Sequence, residues 1–198
     1  MSVMNGLGAV FLGGNMKVRD ILLEAADLLG IKEGVAAFLD GESDELENTV
    51  EQMLTCLHVA ECSLALNYVP LYAEDELMTS TGRLTFSDFT HSPVRIIEVQ
   101  NAMGQSIPYT LYPLYLKAET GRLKVRYTYT PEKKGVDGES DFTMLTSGHL
   151  LVYGTLAEYC LANGLHQEAA IWDKKMKDSV EYLIHTKKCK RLGSRRWL

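Results

Sequence analysis

The sequence predicts an α+β fold: an antiparallel helical bundle drawn from both chain ends, with a small, sandwich-like antiparallel β-sheet sub-domain inserted between them. Two observations predict it. Apolar residues recur at steps of three and four in the first and last parts of the chain, and in the middle they switch to strict alternation. A chain of 198 residues, 46% of them hydrophobic, can bury a real core and is most simply one domain.

Val18, Ile21, Leu22, Ala25, Leu28 and Leu29 fall on one helical face, and Gly30 supplies a stop, so a first helix is expected over about Lys17 to Leu29. After the short apolar piece "VAAFL", Val50, Met53, Leu57, Ala60, Leu64 and Tyr68 mark a long amphipathic helix that Pro70 closes. In "RLKVRYTYTP" the pattern is two-fold, with Leu123, Val125, Tyr127 and Tyr129 inward and Lys124, Arg126, Thr128 and Thr130 on a wet face. "RLTFSDF", "VRIIEVQ" and "SIPYTLYPL" are further strand candidates, and "NAMGQ" is a hairpin turn with Gly104 at the position that needs positive φ. Two closing helices follow. One carries Leu150, Tyr153, Ala157, Cys160 and Leu161 and ends at Asn163-Gly164; the other carries Ala169, Trp172, Met176, Val180 and Leu183. The turn between them is short, so they are expected to lie antiparallel.

The expected organisation is therefore a flexible arm or leader over residues 1–15, ahead of Met16, and a single domain over 16–198. Within that domain, helices occupy 17–70 and 141–186, a β insertion occupies about 80–131, and a basic tail occupies 187–198. Leu57, Leu64, Tyr153, Cys160, Trp172 and Met176 are expected in the packing between the terminal helices, with Trp172 as a core anchor.

Charge and motifs narrow the function. A net charge of -6 argues against a surface that binds nucleic acid as a whole, and no apolar run approaches the roughly 20 residues that cross a bilayer. Cys56, Cys62, Cys160 and Cys189 stand in no CxxC spacing and read as reduced thiols. "DGESD" occurs twice, at Asp40 to Asp44 and Asp137 to Asp141; turn formation and helix capping explain it better than calcium binding, which needs more ligands at longer spacing. The sequence holds no GxSxG, GxxxxGK[ST], HExxH or GxGxxG after a strand, and Glu158 and Glu168 sit at solvated helical positions. No catalytic residue, cofactor site or metal site is expected.

The tail is the feature that composition alone does not explain. Lys187, Lys188, Lys190, Arg191, Arg195 and Arg196 occur there with no acidic residue, and Trp197-Leu198 close it. A large aromatic flanked by guanidinium groups has the make-up of an anchor for a partner's pocket. The expected partner-binding residues are Lys190, Arg191, Arg195, Arg196, Trp197 and Leu198.

The order of parts, with "FSDFTHSPVRIIEVQNAMGQSIPYTLYP", "GRLKVRYTYTPEKKGVDGESDF", "YGTLAEYCLANGLHQEAAIWDKKMKDSVE" and "RRWL", resembles the head-tail adaptor proteins of tailed bacteriophages and prophages, both tail tubular adaptors and head-tail connectors. The resemblance covers Met16 to Leu198. It implies a structural virion protein that forms a homo-oligomeric ring at the head-tail junction, binds the portal and tail proteins, and is made in the cytoplasm of a bacterial host. It also implies that the helical pair contacts neighbouring copies and the portal, that the tail with Trp197 inserts between portal subunits, and that there is no enzymatic chemistry, membrane or sequence-specific nucleic acid. Two other readings remain beside it: a small regulatory or DNA-associated oligomeric module that holds nucleic acid through the basic tail, and an enzyme using the sheet as a pocket.

Overall fold

The computed structural model describes residues 17–142 and 149–188. Among the described residues it is a mixed α/β structure of five α-helices, one short 3-10 turn (Phe86–Asp88) and two three-stranded antiparallel sheets. The chain divides into two units, Met1–Ala60 with Lys133–Leu198, and Glu61–Glu132.

In the first unit, α1 (Val18–Leu29) packs on α2 (Lys32–Leu39) and on α4 (His149–Ala162), and α4 packs on α5 (His166–Lys188). α1 buries Val18, Ile21, Leu22 and Ala25 as expected. It buries Ala26 as well and turns Leu28 outward, because a 3.6-residue turn carries position 28 past the edge of the buried stripe. Helix α2 contains the stretch that read only as a short apolar piece, and it buries Val35 alone. Gly30 and Gly164 end α1 and α4 at φ 74° and 76°, a left-handed conformation that costs glycine nothing. The amides that follow return to carbonyls five residues back, Ile31 to Ala26 at 3.0 Å and Leu165 to Cys160 at 2.8 Å. α4 is buried on nearly every face, through Leu150, Leu151, Val152, Thr155, Leu156 and Cys160, so its expected single apolar stripe is widened to a whole helix. At its middle the α3, α4 and α5 chains approach closely. A Cβ built on Gly154 would meet Ala60 Cβ at 2.9 Å and Met176 Sδ at 3.2 Å.

Helix α3 (Glu47–Asn67) begins in the first unit and ends in the second, and Val50, Met53, Leu57, Ala60 and Leu64 are buried along it. Strand structure starts at Leu71 rather than near residue 80. β1 (Leu71–Thr79) pairs antiparallel with β6 (Gly121–Tyr129), which pairs on its other side with β3 (Pro93–Asn101). The second sheet has the order β2 (Arg83–Thr85), β5 (Tyr115–Lys117), β4 (Thr110–Leu111). One core draws on both sheets, from Leu84, Phe89, Ile96, Val99, Leu116, Leu123, Val125 and Tyr127. The alternation read in β6 holds, with Leu123, Val125 and Tyr127 inward and Lys124 on the wet face, 2.7 Å from Glu74 of β1. Gly104 has φ 74° in the turn after β3, as its position required. "SIPYTLYPL" forms only the two residues of β4, since Pro108 and Pro113 lack the amide a longer ladder needs.

The register of β3 against β6 shifts twice, between Pro93 and Arg95 and between Ile96 and Glu98. The extra residues, Val94 and Ile97, are exposed.

Candidate functional site

The anchor residues that the sequence singles out, Lys190, Arg191, Arg195, Arg196, Trp197 and Leu198, lie outside the described residues. The described residues hold four arrangements of polar or aromatic side chains that a site could be built from.

The first runs across α1, α4 and α5. Trp172 was expected as a buried anchor, but it is only half-buried, as is Tyr153, while Cys160 and Met176 are buried as expected. Ile171 before it and Lys175 after it face solvent, so the α5 stripe meets the core through Ala169, Met176, Val180 and Leu183 and leaves Trp172 at its edge. There the indole stacks on Tyr153 with centroids 5.7 Å apart, and Lys175 Nζ lies 4.1 Å from the indole centroid. Tyr153 continues the stack to His149 at 6.0 Å, and His149 Nδ1 meets Glu24 Oε1 at 2.5 Å. Along the same helical pair Leu161, Leu165, Ile171 and Tyr182 are exposed, the last at 70%.

The second arrangement ties a loop to the larger sheet. Asp75 points inward from β1 and accepts three hydrogen bonds: from the Tyr127 hydroxyl at 2.8 Å, the Thr90 amide at 2.7 Å and the Thr90 hydroxyl at 2.9 Å. Burial pushes the carboxyl up, but these bonds and the nearby His91 outweigh it and hold Asp75 below the ordinary aspartate value. Tyr127 is pushed up to about 12, by burial first and then by the Asp75 carboxylate, against the His91 amide that favours its ionised form. It therefore stays a neutral donor. His91 stacks on Tyr129 at 4.1 Å. The geometry holds a loop in place and offers no nucleophile.

The third is the thiols. Cys56, Cys62 and Cys160 are thiols rather than disulfides. Burial is the main cause that raises all three, and it takes Cys56, with Glu158 and Cys160 beside it, to about 11. A thiol in that state is protonated at neutral pH and is a poor nucleophile or metal ligand. Among the described residues no group of three or more His, Cys, Asp or Glu side chains gathers where it could hold a metal ion.

Both "DGESD" copies lie in turns, and Asp40 of the first is the C-cap residue of α2. In the first, Asp40 pairs with Arg19, Ser43 Oγ accepts the Glu45 amide, and α3 begins only at Glu47. In the second, the Gly138 carbonyl accepts the Val18 amide at 3.0 Å, Ser140 Oγ accepts the Phe142 amide, and Asp141 forms an ion pair with Lys134 at 2.9 Å. The repeated pentapeptide serves two different turns.

The fourth arrangement is the β4–β5 hairpin with its neighbour β2. Arg83 and Lys117 sit directly opposite each other in the register and share one face with Thr85 and Tyr115, since Leu84 and Leu116 between them are buried. Tyr112 and Tyr115 stack at 4.6 Å, and the Arg83 guanidinium lies 5.0 Å from the Tyr115 centroid. No spacing in the sequence signals this face, because it arises from strand pairing.

Among the described residues no helix is long and apolar enough to cross a membrane. No protein-family model matches the chain, and no curated protein matches it.

Proposed function

We propose that this chain is a structural adaptor of the head-tail junction of a tailed bacteriophage or prophage, acting as a ring of copies between portal and tail in the virion. The observation that carries the reading is the closing helical pair. α4 buries Leu150, Leu151, Val152, Leu156 and Cys160, while Leu161 near its end, Leu165 in the turn, and Ile171 and Tyr182 of α5 are exposed. Exposed apolar side chains offer contact surface, and this helical pair is the part for which the resemblance implies contacts with neighbouring copies and the portal.

On this reading residues 16–198 act as one adaptor domain, and the helices of both chain ends form a single antiparallel bundle, of which the α1–α4 and α4–α5 contacts are part. The β region is an insertion in the chain between the two helical stretches. The tail adds Arg195, Arg196 and Trp197 as an anchor for the portal, with Lys190, Arg191 and Leu198 beside them. The function requires no catalysis and no cofactor. The protonated thiols and the hydrogen-bonded Asp75 agree with that, since neither is poised for chemistry.

The test is a chain ending at Lys187, compared with the full chain for docking onto purified particles that contain the portal, and separately for binding to DNA over a salt series. The adaptor reading expects the shortened chain to fold, to fail to dock, and to bind DNA as weakly as the full chain does. Docking at full strength by the shortened chain overturns the anchor role of the tail. Tight, salt-sensitive DNA binding that the truncation abolishes supports the nucleic-acid module instead.

A further inference from the structure

Arg83 and Lys117 are paired across β2 and β5, and like charges placed directly opposite on a sheet repel. Among the described residues neither forms an ion pair. The hairpin beside them is built to stay in place. The Tyr112 amide donates to the Tyr115 carbonyl at 2.9 Å across the Pro113-Leu114 tip, Tyr112 stacks on Tyr115 from the β4 side, and Arg83 lies over Tyr115 from the β2 side. At that tip Leu114 is 78% exposed. A pre-ordered apolar tip beside two uncompensated cations is a surface waiting for an apolar segment that carries carboxylates.

The same chain carries such a segment. Between Glu42 and Glu51 lie Glu42, Asp44, Glu45, Glu47 and Glu51 with no Lys or Arg; all five are exposed, and none forms an ion pair among the described residues. Leu46 lies half-buried among them, while Val50 is turned into the core.

We propose that the outward face of the β2-β5-β4 sheet is a docking surface for a second copy of this chain, and that it takes the acidic segment Glu42–Glu51 of that copy. Arg83 and Lys117 meet the carboxylates, and Leu114 supplies the apolar contact. The two surfaces differ, so the contact is head-to-tail, and each copy keeps one free surface of each kind. Such a contact closes into a ring or grows as a chain and does not stop at a dimer. The choice of a second copy rests on the ring reading above. Single-stranded nucleic acid is the competing occupant; it needs open aromatic faces for its bases, and Tyr115 already has Tyr112 stacked on it and Arg83 5.0 Å from its centroid.

The experiment is sedimentation velocity on the full-length chain alone over a concentration series up to about 100 µM, at low and high salt. The wild-type chain should associate beyond a dimer, less so at high salt. R83Q/K117Q, with an unchanged melting temperature, should weaken association about tenfold or more. R83E/K117E and E42K/D44K/E45K should each lose association alone, and an equimolar mixture of the two should regain it, because every reversed surface then meets its complement. A wild-type chain that stays monomeric, an R83E/K117E variant that associates normally, or a mixture that does not recover would each overturn the proposal. A single-stranded oligonucleotide arm completes the test. Oligonucleotide binding that R83Q/K117Q abolishes, with self-association intact, makes this face a nucleic-acid site and overturns the proposal too. No portal is present, so self-association can fail while docking to the portal holds, and the reverse.

Discussion

The Tyr127 hydroxyl donates to Asp75 Oδ2 at 2.8 Å, across the paired strands β1 and β6, and in the same place Asp75 takes both the amide and the hydroxyl of Thr90. A carboxylate on the inward face of a strand is costly unless it is hydrogen-bonded. Here the bonds join the loop after β2 to the middle of the larger sheet.

Asp75→Asn should therefore destabilise the protein by about 1.5 to 3 kcal/mol at neutral pH, the usual range for hydrogen bonds to a charged group. The carboxyl is held below its ordinary value in the folded state, so its contribution is fully present above the ordinary aspartate range and is lost as pH falls through the folded value. Urea unfolding of wild type and variant at descending pH should show the gap narrowing in acid. A gap independent of pH would mean that the charge of Asp75 does not matter.

Trp172→Ala should cost about 2 kcal/mol, less than the 3 to 5 kcal/mol expected of a fully buried indole, because the ring is half-buried and keeps mainly its contacts with Tyr153 and Lys175. Trp172→Phe should recover part of the loss through the stack. Chemical denaturation of both variants measures it, and a loss equal to that of a core tryptophan would place the ring deeper.

Gly154→Ala should destabilise by about 1 to 2 kcal/mol, although alanine favours a helix by roughly 1 kcal/mol. The added methyl meets Ala60 Cβ at 2.9 Å, a short side chain that cannot swing away, so α3 and α4 must separate. Ala60→Gly in the same chain should restore part of the stability. A melting temperature raised by Gly154→Ala would show that the approach is looser than this geometry.

Cys56 and Cys160 should resist alkylation in the native protein at pH 8 and react fast in denaturant, since burial keeps the first protonated up to about 11 and raises the second. Mass spectrometry of iodoacetamide-treated samples with and without urea reads each site. Equal rates in the two conditions would contradict the burial.

The four longer helices and β6 were legible because each buries a face at its own period, through residues such as Ile21, Met53, Leu150, Val180 and Val125. α2 was not, since eight residues around Gly34 bury only Val35 and leave no stripe to read. β1 was missed for a related reason. Its inward positions are Leu71, Ala73, Asp75, Leu77 and Thr79, while Tyr72 and Met78 face out, so the alternation is blurred on both faces. Asp75 inverts the rule because it serves Thr90 and Tyr127 rather than the apolar core. Trp172 shared a helical face with real core residues, and periodicity cannot tell the centre of a stripe from its edge. Arg83 and Lys117 lie far apart in sequence and become neighbours only through register, which no local pattern encodes.

The two register shifts in β3 bear on how the protein survives at high concentration. An outer strand normally invites another chain to add to it, and repetition of that event seeds fibres. Pro93 offers no amide, and the extra residues Val94 and Ile97 break the spacing on either side of Arg95 and Ile96. From Val99 onward the strand is already occupied, because the Val99 carbonyl accepts the Ile107 amide and the Asn101 amide is bound by the Gln105 carbonyl. A stranger's strand finds no regular run to copy along this edge, so β3 is a poor template for strand addition.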